Sequence, residues 1–468
     1  MPLSKSINEN ISKFKRLLRV DESFDLIYRT IKIYDRTACM FYIDGFVKDD
    51  IMEKVMEFFY SVDSDEYLKD AHMFSKRWVP YLEVDLSGED DKIITSVLSG
   101  MLALMVDGFE EAILIDVRTY PQRDTQEPEK DKVLRGSRDG FVETLVSNTA
   151  LIRRRIRSPE LTMKIFSVGN ISKTDVVICY MDDKVDKNLL DKISNRLNKV
   201  NVDSLTMNQE SLMEALYDRK WYNPFPKAKQ SERPDTAASA VLEGNLVILV
   251  DTSPSVTIIP TSIFDLVEEA DDYYFPPITG TYLRLSRYIV TLATVFLTPL
   301  WLLLIENPGF IPPWLNFIQP KQPINIPIFW QLILLEFLID GLRLAALNTP
   351  SSINTTLSII GAIVLSDFAV SSGWFNSESM LYMAFVAISN YSQPSFELGY
   401  ALKFMRTIIL ALTALFNLWG FIAGVLITII MVVSNRTISG KSYIYPIVTF
   451  NGKELMRKLF RTRLGDKN

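Results

Sequence analysis

Glu336, Asp340 and Arg343 carry the most demanding chemistry in the chain, because they interrupt a stretch, residues 328–347, that is otherwise apolar. Spacings of four and three put the three side chains on one face of a helix. A charge at the centre of a bilayer costs at least ~2.5–3.5 kcal/mol, so that face has to meet protein or water rather than lipid. Two uses satisfy the same burial. The acids and Arg343 form a structural charge network, or they flank a route for ions or protons.

Other reactive groups are few. His72 is the single histidine, too little for a zinc site or a Ser-His-Asp triad. Cys39 and Cys179 lie in apolar runs without metal-type spacing and read as buried free thiols. The segment ISGKS (438–442) ends like a phosphate-binding loop, but Asn435 stands where the first glycine belongs and an apolar helix precedes it. RGSRDGF (135–141) offers Arg135 and Arg138 beside two glycines. It could cradle an anion at a helix start. The favoured reading is a turn whose arginines pair with Asp139 and Glu143, or with acids of a neighbouring subunit. No motif joins nucleophile, base and oxyanion donors, so the reading is not that of an enzyme, and no metal or other cofactor is called for.

The elements that position these residues fall into two kinds. Among 468 residues, 283–468 hold 14 Lys or Arg against 8 Asp or Glu, a balance of +6; with the whole chain at −6, the residues before 283 carry −12. Such acidity argues against a nucleic-acid partner. This first part alternates short apolar strands (25–34, 38–44, 111–117, 162–168, 175–181, 245–251, 255–260) with amphipathic helices (49–61, 91–106, 142–156, 187–200, 207–215). It is α/β (α+β) soluble material in two subdomains, 1–157 and 158–280, parted after the basic run IRRRIRSPE. The first twenty residues lack the apolar core of a secretory signal. Leu3, Ile7, Ile11, Phe14 and Leu18 share one helical face, which packs on its own domain, lies on a membrane or binds a partner.

The second part, 281–435, is an α-helical transmembrane domain. Residues 288–305 are uncharged and just long enough to cross the ~30 Å hydrocarbon core. Arg284 and Arg287 before this run place its start on the cytoplasmic side. A proline-rich external loop leads to the return span 328–347. Residues 354–371 are apolar and rich in small residues, suited to a channel lining. Residues 380–390 are short for a span and suit a re-entrant helix. Residues 407–433 suit one tilted helix; six crossings in place of four would require a break near Asn417. The basic tail, 436–468, places the end of the chain on the cytoplasmic side and attracts acidic lipids.

Five blocks in order, FYIDGFV (41–47), RGSRDGFVE (135–143), LVDTSPSVTIIPTSIFD (249–265), DDYYFPP (271–277) and LSIIGAIVLSDFAV (357–370), resemble the A subunits of the GerA family of spore germination receptors over nearly the full length. The resemblance implies a multi-pass protein of the spore inner membrane acting in germination. It further implies a homo-oligomer of five copies forming an ion channel, a small membrane partner protein and other germination proteins beside it in the lipid bilayer. On that reading the segment 354–367 lines the pore: Ile359, Ile360 and Val364 form an apolar constriction, and Asp367 favours monovalent cations. The alternative is a non-conducting membrane scaffold that recruits germination receptor components. This chain departs from the family pattern at Gly136-Ser137-Arg138, where a Gly-Pro-Arg loop is common, at Ala345-Ala346-Leu347, where Arg-Leu-Pro is frequent, and at Asp367, where an uncharged residue is usual.

Overall fold

The computed structural model describes residues 3–47, 49–79, 83–118, 136–217, 221–348, 368–440 and 442–462. The chain separates into two compact units, residues 1–219 with 228–260, and residues 220–227 with 261–468.

The first unit is built twice. Its first half runs α1 (Ile7–Leu18), β1 (Leu26–Ile33), β2 (Arg36–Ile43), α2 (Asp49–Tyr60), α3 (Ala71–Trp78), β3 (Val84–Ser87), α4 (Asp90–Leu98), β4 (Leu102–Val106) and β5 (Ala112–Ile115). The second runs α5 (Leu145–Arg155), β6 (Leu161–Val168), β7 (Thr174–Met181), α6 (Lys187–Leu197), α7 (Asn208–Leu216), β8 (Lys229–Ser231), α8 (Pro234–Leu242), β9 (Leu246–Val250) and β10 (Val256–Ile259). The sheets have matching orders, β1-β2-β4-β5-β3 and β6-β7-β9-β10-β8, and every pairing is antiparallel. Register matches too: Ala38 faces Val106 as Val176 faces Val250.

Equivalent residues hold both halves. Asp107 Oδ1 accepts from Ile7 N at 3.0 Å, and Asp251 Oδ1 accepts from Leu145 N at 3.2 Å, so each half's fourth strand caps its first helix. The buried amides of Asn10 and Asn148 each close a loop six residues upstream, onto Ser4 and Val142. Gly100 and Gly244, at φ +99° and +92°, end α4 and α8 in a left-handed conformation that other residues resist. A Cβ on Gly100 would also stand 2.6 Å from the Phe46 ring.

All seven expected strands are present, with ends moved by at most two residues. The helix expected over 91–106 is corrected: α4 stops at Leu98, and after the turn at Gly100 the apolar run becomes the fully buried central strand β4. The amphipathic α1 packs on its own sheet, with Phe14 and Leu18 buried against Cys39 and Phe41. Helix α5 precedes the expected break after residue 157, yet gives Leu145, Leu151, Ile152 and Ile156 to the second core. Its Arg153 is fully buried. Nε and Nη2 donate to Asp25 at 2.8 and 3.0 Å, and further N–H groups donate to the Ser158 and Leu161 carbonyls. One guanidinium thus ties the start of β1 to the start of β6.

The second unit is helical. The turns α9 (Ile263–Val267) and α10 (Asp271–Tyr274) lead into α11 (Pro277–Glu306); α12 (Ile328–Asn348), α13 (Ala369–Ser371), α14 (Ser377–Tyr391), α15 (Phe396–Ser434) and α16 (Gly452–Leu459) follow. The starts of α12 and α14 lie together, where Gln331 and Asn376 exchange hydrogen bonds. Their ends lie together too, where Arg343 covers Tyr391, so the two helices run parallel. Residues 380–390, expected as a short re-entrant helix, lie within the 15-residue α14.

The single tilted helix expected over 407–433 is also corrected. Asn417 adopts φ 52°, ψ −130°, and the chain reverses there. A Cβ on Gly424 would lie 2.8 Å from Ile409 Cα, although an unbroken helix would separate residues 409 and 424 by about 22 Å. Gly420 meets Leu412 in the same way. Two arms, 396–416 and 418–434, therefore pack antiparallel, backbone to backbone, through glycines that leave no side chain between them.

Replacing Arg153 with Ala strands the Asp25 carboxylate in the core, and the expected loss is about 3–5 kcal/mol of unfolding free energy. Denaturant unfolding of the full chain in detergent, followed by hydrogen exchange at the amides of β1 and β6, measures it. The Arg153→Met/Asp25→Leu pair should recover most of the loss.

Candidate functional site

The acids of α12 find their counter-charges on α15. Glu336 and Asp340, one turn apart on α12, face Lys403 and Arg406, three apart on the first arm of α15. Arg406 Nη2 donates to both Glu336 oxygens at 2.7 and 2.6 Å, while Nη1 donates to the Thr294 carbonyl of α11 at 3.0 Å. Lys403 Nζ lies 3.1 Å from Glu336 Oε1 and pairs with Asp340. Both cations are more than nine-tenths buried. Three helices converge on this cluster.

Arg343 lies apart from these ion pairs. Its guanidinium sits 5.4, 5.1 and 4.9 Å from the ring centres of Tyr391, Phe396 and Tyr400, an aromatic cage in which the ring faces meet the positive charge. The sequence placed Arg343 with the acids because it shares their helical face. The structure gives the acids to Lys403 and Arg406, which sequence reasoning missed. Their signal was present, two cations three apart in KFMR directly before the uncharged run. Two cations and two anions balance within the cluster, and a narrow cleft lined also by Arg343 opens onto it beside Asn390 and Met383.

A second network closes the start of α11. Asp272, fully buried, accepts from Arg284 Nε at 3.2 Å and from Arg287 Nη1 and Nη2 at 3.1 and 2.9 Å. Arg284 reaches Glu268 at 3.1 Å and Arg287 reaches Glu269 at 2.9 Å. Lys458 of α16 pairs with Asp265 and with Glu268, the latter at 3.2 Å. Burial lowers the Lys458 ammonium's proton affinity, yet Glu268 and Asp265 outweigh it and hold the group above its usual range.

The remaining candidates are placed as follows. Ile359, Ile360, Val364 and Asp367 lie outside the described residues, as does Arg135. Arg138 is exposed. Its neighbour Asp139 pairs instead with Arg155 at 2.5 Å, and Arg155 also donates to Ser137 Oγ at 3.1 Å. Arg233 donates to the Ser137 carbonyl. Burial pushes the Asp139 carboxyl up, but the Arg155 and Ser137 hydrogen bonds outweigh it and hold it below the usual range. Burial raises the thiols of Cys39 and Cys179 to about 12, which keeps both as inert core residues. Among the described residues no group of three or more His, Cys, Asp or Glu is placed to hold a metal ion.

Among the described residues two helical stretches, α11 and α15, are long and apolar enough to cross a membrane. Only 17% of the most apolar window of α15 is buried, so most of it faces outward, where water would penalise it. A twice-built α/β portion followed by apolar helices with their charges turned inward describes a membrane-associated protein. The chain belongs to the GerA family: the Bacillus/Clostridium GerA spore germination protein matches residues 12–468. It is 36% identical to stage V sporulation protein AF of Bacillus subtilis, over 97% of this chain and 92% of that protein. To spore germination protein KA of Bacillus subtilis it is 26% identical, over 98% and 85%. The crystal structure of the N-terminal domain of the A subunit of the Bacillus megaterium spore germinant receptor GerK3 is also similar. It covers 56% of this chain and 96% of that one at 24% identity, with a TM-score of 0.42.

Arg406→Met should destabilise the helical unit by about 2–3 kcal/mol, because it removes both hydrogen bonds that Arg406 gives Glu336 and leaves Lys403 to hold that side chain; heat stability in detergent reads the loss, and Glu336→Gln in the same chain should restore part of it. For Asp139, the depressed folded value means a stabilisation present above the ordinary carboxylate range of about 4 and lost as pH falls through the lower folded value. Asp139→Asn should therefore flatten the acid side of the stability–pH curve and leave its neutral side parallel to that of the parent protein.

Proposed function

We propose that the chain is an ion-conducting subunit of the spore inner membrane, assembled from copies of itself and acting in germination. The observation that carries the reading is the cluster of Glu336, Asp340, Lys403 and Arg406. It fixes α12, α15 and α11 through charges that only a protein-lined interior tolerates, and it leaves the outer faces apolar. Crossings fit this reading. Arms of 396–416 and 418–434 measure about 31 and 25 Å at 1.5 Å per residue, enough for two passes. Both chain ends of the helical unit meet where Arg284 holds α16, so an even number of crossings with both ends on the cytoplasmic side satisfies the geometry.

In the proposed assembly, five copies surround a pore lined by the segment 354–367. Ile359, Ile360 and Val364 narrow it, Asp367 favours monovalent cations, and the charge cluster holds the lining segment in position. Arg135 and Arg138 serve contacts between copies or with an anion. The subdomain limits at 157 and 280 and the basic tail from 436 belong to the same proposal. So does a small membrane partner, which would join the assembly alongside other germination proteins.

Purified chain in sealed liposomes, with and without a candidate partner, should pass monovalent cations. Val364→Trp should lower the flux, and Asp367→Asn should weaken cation preference without unfolding the protein. Folded, oligomeric protein that passes no ions under either condition would favour the non-conducting scaffold.

A further inference from the structure

The last helix presents a face that nothing described so far uses. None of the eight residues of α16 is buried. Leu455, Met456 and Leu459 share one side of it, and Phe450 and Phe460 flank it; Met456 is 56% exposed and Phe450 76%. Lys453 lies one turn before the exposed Met456, and Arg457 follows it on the polar side, with Glu454 bound to Arg457 at 2.9 Å.

The position of the helix is fixed. Arg284 Nη1 donates to the carbonyls of Arg457 and Lys458 at 2.9 and 3.2 Å, and Tyr288 Oη donates to the Lys458 carbonyl at 3.3 Å. Arg461 N donates to Thr281 Oγ1 at 3.1 Å. The end of α16 is thus held beside Tyr288, where the uncharged run of α11 begins. Ile278 and Tyr282, in the first turns of α11, are also largely exposed there, at 82% and 69%.

We propose that α16 lies in the plane of the membrane–water boundary. Met456 and its apolar neighbours enter the boundary between headgroups and acyl chains, and Lys453 and Arg457 contact the phosphates of anionic phospholipids. Charge selects lipid over a second copy of the helix. α16 carries Lys453, Arg457 and Lys458 against Glu454 alone, and Asp265 and Glu268 hold only Lys458 of these, so an identical α16 would bring two helices of net positive charge together. The proposal rests on α11 crossing a bilayer.

The test uses the full chain in nanodiscs, with Met456→Cys carrying an environment-sensitive fluorophore. Cys39 and Cys179 are buried and do not compete for the label. A Ser12→Cys label on the exposed side of α1 is the aqueous reference. Nitroxide lipids labelled near the headgroup should quench the Met456 probe and spare the Ser12 probe. Anionic phospholipid should be enriched around α16, and Lys453→Gln or Arg457→Gln should each cut that preference about fivefold. A Met456 probe as open to aqueous iodide as the Ser12 probe would overturn the proposal alone. Protection that ignores lipid charge and rises with the number of chains per disc would overturn it in favour of a contact between copies. A chain that does not enter the disc at all overturns both this proposal and the membrane reading beneath it.

Discussion

A charge removed from water must find an opposite charge or a dense set of dipoles, and much of this chain is arranged around that requirement. Arg153 meets it in the α/β unit by joining Asp25 and two carbonyls, which locks the starts of the two sheets together. Asp272 meets it at the entrance of α11 between two arginines. Glu336 and Asp340 meet it among apolar helices through Lys403 and Arg406. In each case the partners lie on different elements. Each pair therefore specifies which elements adjoin, a task that apolar packing alone performs loosely.

The two units solve opposite solvent problems. In the α/β unit apolar strands are covered on both sides, and Phe41, Leu104, Ile178 and Ile248 are all essentially inaccessible. In the helical unit the order is inverted. Leu415, Trp419 and Ile430 are exposed, whereas Thr294, Thr298, Lys403 and Arg406 are buried. Helix α12 shows how an apolar helix carries charge. Two of its three charged side chains are ion-paired within the bundle and the third lies in a cage of rings.

Much of the fold was legible in the sequence. Short apolar or β-branched runs bounded by Gly, Asp or Pro marked the seven strands, and Gly100 marked the end of α4 for a reader who weighed it against the helical pattern. The helix-facing acids could be identified from spacing alone. Their partners could not, because 63 to 70 residues separate them in sequence and no local rule links α12 to α15. The reversal at Asn417 was hidden for a different reason: an uncharged run of 27 residues suits one tilted helix, and only Gly420 and Gly424 hint at close packing. The doubled architecture left one plain trace, VLSGMLALMVD at 97–107 against VLEGNLVILVD at 241–251, which align without a gap. It escapes notice because the surrounding helices have diverged to suit different neighbours.

Those two aligned aspartates have a consequence for how such a chain could arise. In each half of the α/β unit the residue after the fourth strand caps the first turn of the first helix, so one half repeats the closure of the other. A unit closed on itself in this way can be repeated along a chain with each copy keeping its own sheet order and core. The second copy then needs only a new seam. Arg153 supplies it, on the helix equivalent to α1, at the position where α1 carries Lys15. A single change of side chain at that place, from a half-exposed amine to a buried guanidinium, marks the difference between a module facing water and one facing its twin.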